Sequence, residues 1–129
     1  MKYLAYYFLF VVLSAASCHT EEVDETDSLG CQSDNALEQV AWLKEKVNDL
    51  TKQSAQFKCS DKEEGCFYIA RGDVNGETIF EVGNCCPNMN SVPAFFKCDG
   101  TSFCEAGDID CIRKTTPDGR KLLWSSRIK

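Results

Sequence analysis

The chain has 129 residues, of which 43% are hydrophobic and 26% are charged, and its formal net charge is −6. This length allows one domain once a short leader segment is set aside. The negative charge argues against nucleic acid as a partner, because binding to phosphates depends on an excess of Lys and Arg.

The first residues have the layout of a secretory signal peptide. A positive start, Met1-Lys2, precedes an apolar run over 3–13 and small residues over 14–17. We predict a signal peptide over 1–17, with cleavage after Cys18 as the alternative. The run is shorter than the roughly 20 residues that span a bilayer, and no second run follows. The mature chain is therefore predicted to be secreted and extracellular, with no transmembrane segment.

Nine cysteines are present, and removal of Cys18 leaves an even number. In a secreted chain of this size, eight cysteines predict four disulfides, whose pairing the spacing leaves open. The eight are Cys31, Cys59, Cys66, Cys85, Cys86, Cys98, Cys104 and Cys111. Neighbouring Cys85 and Cys86 are expected to bond to two different partners, because a bridge between adjacent residues strains the peptide. A retained Cys18 could instead link two chains.

An acidic arm and a helix are predicted next. Residues 18–30 form a flexible arm, in which the stretch 19–30 holds five acids and no base. Residues 34–57 carry apolar side chains every three or four positions, which predicts an amphipathic helix. Asn35 and Glu38 have the spacing of a capping box. The apolar stripe packs either on the chain's own disulfide-rich part or on a second chain as a coiled coil.

The second half of the chain reads as β-structure. Two β-prone runs flank Asn75-Gly76, a strong two-residue turn signal, and predict a hairpin over 66–82. Residues 91–98 form a third strand candidate, placed at a sheet edge because Pro93 cannot donate to a ladder. We therefore predict a small disulfide-rich α+β fold, with one N-terminal helix and a short antiparallel sheet, the disulfide-rich domain covering 31–111.

Residues 112–129 are predicted as a basic C-terminal tail, with six bases and one acid. A cationic segment with an aromatic anchor suits an acidic channel vestibule or an anionic lipid surface. A solvated C-terminus without a binding role is the alternative. The candidate binding residues of the tail are Arg113, Lys114, Arg120, Lys121, Trp124, Arg127 and Lys129.

The tripeptide Arg71-Gly72-Asp73 lies between the two hairpin strands and resembles the recognition sequence of integrin-binding loops. At a hairpin tip, Asp73 could reach a receptor's metal ion while Arg71 meets a carboxylate. All three residue types are also ordinary turn or surface residues.

Enzymatic activity is not expected. The one histidine, His19, lies in the acidic arm, and cysteines in disulfides offer no thiolate. The absence of a Cys-x-x-Cys pair argues against zinc. The acids Glu105, Asp108 and Asp110 do not match a calcium loop and are interpreted as an exposed acidic segment. No metal and no cofactor are predicted.

A signal peptide, an acidic stretch and a bridged domain with a Cys-Cys doublet together resemble the larger cysteine-rich toxins of centipede venom, the scoloptoxins. This resemblance implies a secreted venom toxin that impairs an ion channel, with an extracellular membrane protein as partner. An integrin ligand is the first alternative. The second is a binding module similar to von Willebrand type C domains, which residues 75–85 resemble through their Gly-Glu-Thr stretch.

Overall fold

The computed structural model describes residues 30–60, 63–87 and 89–127. One long helix, two antiparallel sheets and four disulfides confirm the predicted disulfide-rich α+β fold class. The predicted signal peptide, Cys18, almost all of the acidic arm and Lys129 lie outside the described residues.

The predicted helix is divided in two. Helix α1 covers Ala36–Gln39 and α2 covers Ala41–Gln56, because Val40 between them has extended dihedral angles. The expected capping box is wrong: the Asn35 side chain caps nothing, and its backbone N–H donates to Ser33 Oγ instead.

The apolar stripe of α2 packs on the chain's own sheet, so the coiled-coil alternative is wrong. Leu43 and Leu50 are buried together with Val40 against the sheet residues Ile69 and Phe80. Burial of such side chains supplies about 1.5–3 kcal/mol each, which fixes the helix across the sheet.

Four antiparallel strands form the main sheet: β3 Phe67–Val74, β4 Glu77–Asn84, β5 Ala94–Lys97 and β6 Asp118–Ser125. Their order across the sheet is β5-β4-β3-β6. Asn75 and Gly76 join β3 to β4 with φ of 53° and 81°, the positive values that a two-residue hairpin turn requires. A separate small sheet pairs β1, Lys58–Ser60, with β2, Glu63–Glu64.

The predicted basic tail is largely regular structure. Residues 109–114 form the short helix α3, Ile109–Lys114, and β6 pairs with the central strand β3. This segment is ordered because its apolar side chains Leu123 and Trp124 pack against the core beneath α2. Residues 118–125 are therefore a strand of the main sheet, although the side chains of 118–122 are exposed.

The sheet has a second covered face, opposite α2. There Ile79 and Phe95 form a smaller buried cluster with Cys104, and Val74 and Ile112 pack against it. The segment from 103 to 117, which includes α3, therefore lies over this face and places its side chains beside the sheet.

Disulfides account for all eight predicted cysteines. The pairs are Cys31–Cys98, Cys59–Cys86, Cys66–Cys85 and Cys104–Cys111. The adjacent cysteines of the doublet thus have separate partners, and they tie the small sheet to the hairpin.

Candidate functional site

The tripeptide Arg71-Gly72-Asp73 does not lie at the hairpin tip. It lies within the central strand β3, with Arg71 opposite Phe80 on one side and Lys121 on the other. The expectation of a projecting loop is wrong because the strands extend as far as the two-residue turn.

Each residue of the tripeptide has a structural role. The Arg71 guanidinium, 15% exposed, donates to the carbonyl oxygens of Cys31 and Ser33 at 3.0 and 2.6 Å. A Cβ at Gly72 would lie 2.5 Å from Cβ of Pro117, so only glycine allows this approach. Asp73 accepts a hydrogen bond from Thr78 Oγ1. The integrin interpretation stays a hypothesis, one that this geometry does not favour.

We expect Arg71→Ala to lower the free energy of unfolding by about 1.5–3 kcal/mol, because two carbonyls lose a charged donor. Arg127→Ala is the control, since its ion pair with Glu63 joins two half-exposed side chains and is worth about 0–1 kcal/mol. Urea unfolding measures both variants. If both variants lose the same free energy of unfolding, the hydrogen bonds from Arg71 to the Cys31 and Ser33 carbonyls do not have the stabilising role assigned to them.

Three of the five described cations of the predicted tail are already paired. Arg120 binds Glu81, Lys121 binds Asp34 at 2.6 Å, and Arg127 binds Glu63. The hydrogen bond from Lys121 also holds the pKa of Asp34 below its usual value. The predicted aromatic anchor, Trp124, is half-buried against the core and so is not a projecting contact.

Arg113 differs from the other arginines. Within the described part of the chain, Arg71, Arg120 and Arg127 each have a carboxylate partner, whereas Arg113 has none. Arg113 is exposed near the end of α3, directly after the half-buried Ile112. Lys114, the next residue, is also exposed and unpaired among the described residues. Arg113 is therefore free to bind a partner's anion.

Arg113 lines a surface groove of about 390 Å³ on the face opposite α2. Its apolar lining residues are Val92, Pro93, Phe95, Ile112 and Pro117, and its charged ones are Glu81, Arg113 and Arg120. The segment before β5, the strand β4 and the connection from α3 to β6 all contribute. We call this feature the groove. It brings together the predicted site residues Arg113 and Arg120, and Lys114 does not line it.

The charge of Glu81 is compensated within the groove. Its carboxylate is nearly buried and accepts from Arg120 Nε at 2.7 Å and from the Tyr68 hydroxyl. The Arg120 guanidinium also lies 5.3 Å from the centre of the Tyr68 ring. These contacts leave Arg113 as the one cation of the groove without a compensating carboxylate among the described residues.

The pKa of Tyr68 gives a test of this cluster. Burial, followed by the hydrogen bond to Glu81, raises it from 10.0 to about 12. Of the four tyrosines, only Tyr68 lies outside residues 1–17, so ultraviolet titration of chain 19–129 reports this residue alone. Since the folded state holds the proton more tightly, the Tyr68 contribution to stability is present below pH 10 and is lost between pH 10 and about 12.

Urea unfolding at pH 8, 10 and 11.5 checks this loss. Tyr68→Phe should remove the part of this loss of stability that comes from ionisation of the Tyr68 hydroxyl. A titration midpoint near 10 would contradict the buried arrangement.

The side chains of Glu105, Asp108 and Asp110 do not come together to form a cation site. Asp108 begins α3 and accepts from the Cys111 backbone N–H at 2.9 Å. Over the described ranges, no group of three His, Cys, Asp or Glu side chains is placed to hold a metal ion. In the same residues, no helix has the length and apolar character needed to cross a bilayer.

No protein-family model, curated protein or solved structure matches the chain.

Sequence reasoning missed the apolar half of the groove. The sequence places Val92, Pro93 and Phe95 in a strand candidate and gives no reason to single out Pro117. The available signal is a valine beside a proline at the start of a predicted edge strand. It does not show which distant residues stand opposite.

Proposed function

We propose that the protein is a secreted, non-enzymatic toxin that binds an extracellular segment of an ion channel through the groove. The observation that carries the proposal is the position of Arg113. It is an exposed arginine with no carboxylate partner among the described residues, and it stands on the rim of an apolar depression. Arginine and apolar side chains around a depression are typical of the residues that dominate binding at protein interfaces.

The framework supports this proposal in a second way. The Cys104–Cys111 bond closes the loop that precedes α3, the helix that carries Ile112 and Arg113. A surface fixed before binding loses little conformational freedom when the partner arrives, which favours affinity. The ion channel as target follows from the resemblance to scoloptoxins and is part of the proposal.

Current recordings from cells that express voltage-gated sodium, potassium or calcium channels test the proposal. Arg113→Glu should raise the half-blocking concentration at least tenfold, equivalent to about 1.4 kcal/mol. Lys114→Glu is the matched control. It makes the same charge change at the next residue, outside the groove, and should shift the value less than threefold.

Equal effects of the two variants would point to net charge and exclude the groove as the contact surface. If the wild-type protein changes none of these currents, the ion-channel assignment is wrong. Circular dichroism of both variants excludes misfolding as the cause of a loss.

A further inference from the structure

We propose that the groove recognises an extended peptide segment in which a carboxylate stands next to an aliphatic side chain. The carboxylate binds the guanidinium of Arg113, and the aliphatic group lies against Phe95 and Ile112. This inference rests on the proposed function, since it names the chemistry of the segment that the target presents.

The cationic half of the site points to a carboxylate. A guanidinium presents parallel N–H donors that match the two oxygens of a carboxylate. Arg120 uses this geometry with Glu81. Arg113 lacks such a partner, and Asp110, one turn earlier on α3, forms no ion pair with it. The missing anion is therefore expected to come from outside the chain.

The apolar half of the site selects an aliphatic neighbour. Phe95 is 5% exposed and forms the floor, whereas Val92 on the wall is 53% exposed. Pro93 and Pro117 carry no backbone N–H, so the walls they form offer little main-chain pairing. Recognition by side chains is favoured over addition of a strand, and about 390 Å³ lies within the usual size range of ligand sites.

Because the charge of Glu81 is already paired within the chain, an acidic partner segment is favoured over a basic one. A free carboxylate on the floor would attract a cation from the partner. Here Arg120 and Tyr68 occupy both of its oxygens, so the remaining charge of the groove is the positive charge of Arg113. A membrane surface is disfavoured as occupant, because anionic lipid is bound by clusters of Lys and Arg, whereas Arg113 is the one uncompensated cation of the groove among the described residues.

Short peptides test the specificity of the groove. The probes are acetylated and amidated Gly-Asp-Ile-Asp-Gly, its amide analogue Gly-Asn-Ile-Asn-Gly, and Gly-Asp-Ser-Asp-Gly, titrated into the oxidised ¹⁵N-labelled chain 19–129. We expect the acidic isoleucine peptide to shift the amide signals of Phe95, Ile112 and Arg113. Both analogues should bind about tenfold more weakly, because each lacks one of the two contacts.

A comparison of two variants with two peptides isolates the interaction between the Arg113 guanidinium and the peptide carboxylate. Arg113→Gln should weaken the acidic isoleucine peptide about tenfold and leave the amide analogue unchanged, and Lys114→Gln should alter neither. Equal binding of the acidic and amide peptides would overturn the proposal. So would shifts confined to other surfaces, binding to anionic vesicles in place of the peptide, or self-association of the chain through this face.

The experiment separates this inference from the proposed function. If Arg113→Glu abolishes channel block but none of the peptides enters the groove, the segment chemistry is wrong and the function stands. If the peptides bind as expected and Arg113→Glu leaves channel block intact, the site stands and its role in channel block is wrong.

Discussion

Replacing Cys31 and Cys98 together by alanine is expected to lower the free energy of unfolding by about 4 kcal/mol. The two cysteines are 67 residues apart, and the cost of closing a loop of this length in the unfolded chain is of that order. Domains of this size are stable by about 5–15 kcal/mol, so the loss is a large share of the total. Cys31 is also buried in the main core, where it fixes the start of the helical segment against the sheet.

The matched control removes the shortest covalent loop. Cys104 and Cys111 are seven residues apart, and the same relation gives about 2 kcal/mol for their replacement by alanine. Urea unfolding followed by circular dichroism measures both double variants. A larger loss for the short loop than for the long one would contradict the argument from chain entropy.

Trp42→Ala is expected to cost about 3 kcal/mol, the lower end of the range for aromatic side chains removed from a core, because Trp42 is only partly buried. The Trp42 ring packs edge-on against Phe80 at 5.5 Å and lies 5.5 Å from Phe96. Its indole N–H donates to the Cys98 carbonyl at 2.8 Å. A Cβ on Gly100 would approach the ring to 3.0 Å, so the indole also packs closely on the turn after β5.

Trp42→Phe is the graded control, because it keeps most of the apolar contact and loses the N–H. A loss of about 1–2 kcal/mol is expected for it. Circular dichroism is preferred to fluorescence, since the chain has two tryptophans and this variant removes one of them. If Trp42→Ala costs less than about 1 kcal/mol, the aromatic cluster does not anchor α2.

The features that the sequence predicts best are those coded by neighbours in the chain. The apolar stripe of α2 repeats within sixteen residues, and Asn75-Gly76 specifies the hairpin turn directly. The doublet Cys85-Cys86 required two partners for a steric reason that involves no other residue. Each of these signals is local, so the fold class could be predicted.

The features that could not be predicted from the sequence depend on contacts between residues far apart in the chain. Strand β6 pairs with β3 about fifty residues earlier, and its apolar residues Leu122–Trp124 sit among charges that suggest a solvated tail. The role of Arg71 depends on carbonyls forty residues before it. The groove combines Glu81 of β4 with segments later in the chain, as far as Arg120. Its unpaired arginine becomes visible only when the partners of the other three are known.

The pattern of disulfide spacings has a consequence for biosynthesis. The hairpin brings Cys66 and Cys85 together without help from distant segments, whereas Cys31 and Cys98 meet only when the helix docks. Since short loops close faster than long ones, oxidation is expected to begin at Cys104–Cys111 and at the hairpin bond and to finish with the N-terminal segment. The main off-pathway species should be an exchange of partners between Cys85 and Cys86, which thiol–disulfide exchange would need to correct.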